Sequence, residues 1–212
     1  MKKYLQIIIV VAVALTLFSG CAQKIAYTRS DLDMKIASGK VVQKTNNFVV
    51  LYDTSSSMAE PYGTSRRIEF AEGITRGMAA TIPDIKLTAG LRNFGGFKGE
   101  EKTELVYGMT SFNRDDFTKA LDTLGLPVGR TPLGRTIEAA GEDIKGLPGK
   151  SAVIIVSDFQ DIKGIDDIRP DTAIASAAAV RAQYGDRICI YAVQIGKAPP
   201  PGGETLAQAV VR

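Results

Sequence analysis

The chain has 212 residues, 45% hydrophobic and 23% charged, which is enough for one domain with a real core. Its formal charge of +3 falls to +1 once residues 1–20, with Lys2 and Lys3, are removed; no basic stripe with interleaved aromatics occurs, so no nucleic-acid partner is expected. The sequence holds no histidine, which removes the commonest general base and the commonest zinc ligand.

Residues 1–20 read as a targeting segment. Lys2 and Lys3 precede the apolar run Ile7–Phe18, which is too short for a comfortable membrane span and suits a secretory signal. Leu17-Phe18-Ser19-Gly20-Cys21 then resembles the lipobox of bacterial lipoproteins, with phenylalanine where leucine is usual. That resemblance implies cleavage before Cys21, lipid attachment to its thiol, and a place in the bacterial envelope. Ala22, not being aspartate, points to the outer membrane with the domain facing the periplasm. A plain secretory signal and an uncleaved membrane anchor are the competing readings. Residues 21–46 are polar and mixed in charge and read as a tether; Ser30-Asp31-Leu32-Asp33 is expected to start a short helix, and Val41-Val42 are expected to dock on the domain edge. The folded domain is expected over residues 47–212.

Phe48–Tyr52 is a continuous apolar run, as in a strand buried on both faces. A turn at Glu60–Gly63 leads to a helix over Arg66–Ala80, with Ala71, Ile74 and Met78 on its apolar face. Ile85–Phe94 and Thr103–Tyr107 are read as an antiparallel pair at a sheet edge, joined by a Gly-rich connection. A helix over Arg114–Leu124 starts after Asn113 as N-cap. Leu133, Ile137, Ala140, Ile144 and Leu147 mark a core-facing helix. Ala152–Val156 is another buried strand; Thr172–Tyr184 is a helix, Ile188–Val193 a further buried strand with Cys189 as a small buried hydrophobe, and Thr205–Val211 a last helix. Alternating strands and helices with one hairpin give an α/β, doubly wound, mostly parallel sheet with one antiparallel edge strand and helices on both faces.

Chemistry is concentrated where the strands end. Asp53, Ser55 and Ser57 follow the first strand as D-x-S-x-S, Thr131 precedes a central helix, and Asp158 follows the Ala152–Val156 strand. Loops at the carboxyl ends of such a sheet meet in one crevice. An oxygen-only set of carboxylates and hydroxyls suits a hard divalent cation. For Asp53 and one serine alone, helix capping would suffice; the whole string is too specific for that.

These five residues, in order and in these contexts, resemble the metal-ion-dependent adhesion site of von Willebrand factor type A domains, and the resemblance extends from Asn47 to the C-terminus. It implies a non-enzymatic binding module with Mg²⁺, or alternatively Mn²⁺ or Ca²⁺. Ser55 and Ser57 would donate hydroxyl oxygens to the metal, Thr131 directly or through water, and Asp53 and Asp158 largely through water. An open coordination position would accept an acidic side chain from an envelope or extracellular protein. Loop position places Met58, Tyr62, Phe94, Arg130 and Gln160 on the partner-reading rim. Type A domains normally carry one more strand after the last helix, so the final edge strand is expected to be missing.

Three other readings compete. Gly129–Thr136 is a near miss to a phosphate-binding loop, with Arg135 in the lysine position and Pro132 removing a backbone donor. Asp53 occupies the place of the nucleophile in metal-dependent phosphatases and hydrolases, without a second aspartate or an evident lysine to accompany it. A scaffold that has lost its metal is the third.

Overall fold

The computed structural model describes residues 32–95, 103–160, 170–196 and 205–212. The expected signal segment, Cys21 and the Gly-rich hairpin connection lie outside them. Among the described residues no helix is long and apolar enough to cross a membrane.

A five-stranded sheet forms the centre. Asn47–Thr54 (β1) is its middle strand, flanked in parallel by Thr88–Gly95 (β4) on one side and Ser151–Ser157 (β6) on the other. Thr103–Ser111 (β5) closes the β4 side antiparallel, as expected, and Ile188–Gln194 (β7) runs parallel to β6 at the other edge. A two-rung hairpin, Pro61–Tyr62 (β2) with Ser65–Arg66 (β3), stands apart from this sheet. The helices are Leu32–Ala37 (α1), Arg67–Thr81 (α2), Arg114–Asp122 (α3), Leu133–Asp143 (α4), Pro170–Tyr184 (α5) and Leu206–Val211 (α6).

All eight residues of β1 are buried, and their alternation divides the core in two. Val49 and Leu51 face α4, α5 and α6, meeting Ile137, Ala140, Ala177, Val180 and Val210. Phe48, Val50 and Tyr52 face α2 and α3, meeting Ala71, Phe117 and Leu121. A strand that alternates apolar residues to two covered faces must be apolar throughout, which is why it reads as a continuous run. Asn47, polar and buried, is satisfied by the Pro148 carbonyl at 2.9 Å and Ser151 Oγ at 3.2 Å. Asn113 caps α3 by accepting from the Asp116 N–H at 3.0 Å. The Arg92 guanidinium on β4 grips both carboxylate oxygens of Asp143 at 2.6 and 2.7 Å, tying the sheet to the end of α4.

Four details depart from expectation. Strand β7 is an edge strand with alternating exposure, so Cys189 is exposed and Tyr191 is 54% exposed; the apolar run looks the same whether one face or both are covered. The buried face of α2 is Ala71, Thr75 and Ala79, with Ile74 and Met78 only flanking it. Helix α4 stops at Asp143, and Ile144 and Leu147 follow in a turn. Val41 and Val42 do not dock, being 38% and 66% exposed. The chain on either side of them is instead held by polar bonds, from Gln43 Nε2 to the Lys86 carbonyl at 3.1 Å and from the Asp84 N–H to Asp33 at 2.8 Å.

Candidate metal site

The register of three neighbouring strands brings the site together. Asp53 lies beside Phe94 of β4, and Tyr52 lies beside Val156 of β6, so the ends of β1 and β6 place Asp53 and Ser157-Asp158 side by side. Asp53 is fully buried, with Oδ1 accepting from the Ser55 N–H at 2.8 Å and Oδ2 from Ser157 Oγ at 2.5 Å. Burial pushes its carboxyl up to about 7, against the opposing pull of the Ser157 and Ser55 hydrogen bonds; the neighbouring Asp158 carboxylate adds to the rise. The Ser55 and Ser57 hydroxyls stand 3.2 Å apart.

The chain after Thr54 is pinned rather than loose. Ser56 donates from both its N–H (3.0 Å) and its hydroxyl (2.9 Å) to the Gly129 carbonyl, and the Val128 N–H donates to the Thr54 carbonyl at 2.9 Å. The loop carrying Thr131 is thereby stitched to the loop carrying the serines. At the end of β4, Gly95 has φ +81°, and a Cβ there would come within 2.4 Å of the Ser55 nitrogen. Glycine is the residue that lets β4 end against the serine loop.

Thr131 is buried, and its hydroxyl has no hydrogen-bond partner among the described residues. A buried hydroxyl left unpaired costs about 1–3 kcal/mol, so it marks a missing partner. The isosteric change Thr131→Val is therefore expected to raise the urea midpoint of metal-free protein, by about 1 kcal/mol of stability. A loss of stability in that experiment would mean the hydroxyl is already satisfied.

Asp158 is buried; its Oδ1 accepts from the Gln160 N–H at 3.1 Å, and its Oδ2 meets Arg67 Nη1 at 2.7 Å. Between them Phe159 adopts φ +53°, a left-handed conformation uncommon outside glycine, asparagine and aspartate. Two participants escape the motif: Ser157, which bridges Asp53 and the Phe159 N–H, and Arg67. Ser157 is a hydroxyl adjoining Asp158 at a central strand end, which is the one hint the sequence offers.

Of the expected rim, Tyr62 is partly exposed and Arg130 and Gln160 are exposed, whereas Met58 and Phe94 are fully buried. Met58 packs into the α2 and α3 core and Phe94 into the α4 and α5 core. The serine turn points Met58 inward, and Phe94, still within β4, follows the strand's alternation. Neither is a rim residue. Beside Arg130, Leu126 is 77% and Val128 is 38% exposed, giving this end of the sheet an apolar fringe.

The residues present fit a hard divalent ion better than any softer metal. Among the described residues no group of three Asp, Glu, Cys or His side chains is placed to hold one; the set is two carboxylates with three hydroxyls. The phosphate-loop reading loses its structural basis, because the segment joins helix α3 to helix α4 with no strand before it, and Gly134 is accounted for by packing, a Cβ there coming 3.2 Å from Ser176 Oγ and the Thr172 backbone of α5.

No family model matches the sequence. An uncharacterized protein of Bacillus subtilis, YwmD, is 28% identical over 137 residues, covering 58% of this chain and 59% of that protein. The match thus spans less than two thirds of that relative's length. A von Willebrand factor type A structure from Catenulispora acidiphila superposes with TM-score 0.58 at 17% identity, over 79% of this chain and 36% of the other. The manganese-loaded TRAP protein of Plasmodium vivax superposes with TM-score 0.55 at 13% identity, over 73% and 59%. These likenesses show the fold, a mostly parallel sheet with one antiparallel edge strand wrapped by helices.

Proposed function

We propose, from the premise of a von Willebrand factor type A-like fold, that this protein is a divalent-metal-dependent protein-binding module. On this reading it is tethered to the bacterial envelope through a lipid on Cys21 and faces the periplasm from the outer membrane. The observation that carries the metal reading is the buried, unpartnered Thr131 hydroxyl, in a loop stitched to the D-x-S-x-S turn at the sheet edge that also holds Asp158. Ser55, Ser57 and Thr131 would hold the ion through hydroxyl oxygens. Asp53 and Asp158 would serve mainly through their hydrogen bonds and charge, since both Asp53 oxygens are already engaged within the fold. The bound ion would supply Lewis acidity towards an anionic oxygen of a partner. Mg²⁺ is the expected ion, and a manganese-loaded structure among the fold's relatives supports a divalent cation of this class.

Binding is favoured over hydrolysis by the same geometry. A nucleophilic aspartate needs an accessible oxygen, and Asp53 has 0% exposure. An acidic side chain of the partner would approach between Tyr62, Arg130 and Gln160, with Leu126 and Val128 offering apolar contact.

Thermal unfolding with Mg²⁺, Mn²⁺ or Ca²⁺ against EDTA tests the reading. A ligand that binds only the folded state adds about 2.7 kcal/mol at a hundredfold excess over its Kd, or about 5–10 °C in Tm for a chain of this size. That rise is expected for the wild type and is abolished in Asp53→Ala. A rise that survives the substitution would place the metal elsewhere.

A further inference from the structure

The carboxylate of Asp158 already has a cation on it. Arg67, the first residue of α2, reaches across the site with a side chain only 11% exposed. Its Nη1 donates to Asp158 Oδ2 at 2.7 Å and to the Ser57 carbonyl at 3.2 Å, while Nη2 pairs with Glu60 at 2.8 Å. The placement is built by the β2–β3 hairpin, which returns the chain so that the Arg67 N–H donates to the Glu60 carbonyl at 3.1 Å. Helix stability does not account for it. A positive charge at the first position of a helix opposes the macrodipole, and the buried Nε has no hydrogen-bond partner among the described residues. The residue is held in a locally unfavourable place by its contacts to the site.

We infer that Arg67 is a built-in counter-charge that makes retention of the metal depend on an acidic ligand. The inference rests on the metal-site reading above. When a divalent ion binds, the two ionised carboxylates, offset by one guanidinium, set a single net negative charge against it. Glu60 changes this little, because its carboxylate is 53% exposed and an ion pair with so exposed a partner contributes little. A divalent ion would therefore leave the loaded site net positive, in a buried setting where charge is poorly screened. A carboxylate arriving from outside restores balance, so ion and acidic ligand each strengthen the other's binding by linkage. Without the guanidinium the two carboxylates would balance the ion alone, and the acidic ligand would add little. Arg67 is thus a positioning and charge-setting residue that acts through Asp158.

The test is Mn²⁺ binding to the full chain, read from the EPR signal of free Mn²⁺, with and without acetate as the carboxylate probe. Wild type is expected to bind Mn²⁺ weakly alone and about tenfold more tightly with acetate. Arg67→Gln is expected to bind Mn²⁺ alone at least about tenfold more tightly than wild type, with the acetate effect lost, as removal of one unit charge near a divalent ion requires. Arg67→Lys, which keeps the charge without the fork, should match wild type within about twofold. A merely structural arginine would give the opposite sign, with both variants binding more weakly, and that result overturns the inference. If Arg67→Gln does not fold, the other two proteins decide. Mn²⁺ binding by wild type that acetate leaves unchanged, or weaker binding by Arg67→Lys, also overturns it. No Mn²⁺ binding by wild type in either condition overturns the metal-site reading and this inference with it.

Discussion

Metal-free protein is expected to lose stability as the pH rises from about 4 to about 7, the reverse of ordinary acid denaturation, with Asp53 as the cause. Its carboxyl is raised to about 7 in the folded state by burial, against roughly 3.9 in an unfolded chain. Between those values the folded state holds a proton that the unfolded state has released, so stability must fall with rising pH. The contribution is fully present below the unfolded value and is gone above the folded one. A shift of about three pH units corresponds to roughly 4 kcal/mol, a large part of the net stability of a typical domain. A divalent ion needs the ionised carboxylate and therefore competes with the proton. Below about pH 7 its affinity should weaken about tenfold per pH unit, and saturating Mn²⁺ should recover at pH 8 the stability lost there in EDTA. Urea denaturation at pH 5, 6, 7 and 8 in EDTA reads the first effect. Asp53→Asn, which keeps the shape of the site, should flatten the slope; an unchanged slope would assign it to another group.

The second large effect belongs to the core. Phe117→Ala is expected to cost about 3–5 kcal/mol and to lower Tm by roughly 2–4 °C for each kcal/mol. Phe117 on α3 is fully buried and touches three other rings, with centroids 6.0 Å from Phe48, 5.4 Å from Tyr107 and 5.8 Å from Phe112. Phe48 also meets Phe112 at 5.6 Å. The truncation therefore opens a cavity whose walls belong to β1, β5 and the chain entering α3, and rigid walls relax little. Because these rings lie on the core layer opposite α4 and α5, the metal-dependent rise in Tm should persist in the variant. Urea unfolding with fixed slope and shifted midpoint is the check; a cost below about 1 kcal/mol would mean that the rings repack.

The elements of this fold were legible because each is written locally. The Phe48–Tyr52 run, the Asn113 cap and the Leu133, Ile137 and Ala140 spacing depend on neighbours within one strand or helix. So does the D-x-S-x-S turn, and with the sheet topology it was enough to bring Asp53, Thr131 and Asp158 to one edge. The failures share a different cause. Arg67 reaches Asp158 across 91 positions of sequence, and nothing near either residue announces the other. Met58 and Phe94 stand where a loop was expected to be open, but the inward pitch of a tight turn and the last beat of a strand are decided by packing. Cys189 departs from expectation because a run such as Ile188–Val193 carries no mark of how many of its faces are covered.

Gly95 constrains what this domain's descendants can become. Surface loops in general tolerate changes of sequence and length. The last residue of β4 has no such freedom, because its backbone is left-handed and its missing side chain is the space the serine turn occupies. Any lineage that places a side chain there must rebuild the Ser55 backbone at the same step. On the proposed function, change in recognition falls to the exposed loops, while the serine turn and the end of β4 can change only together.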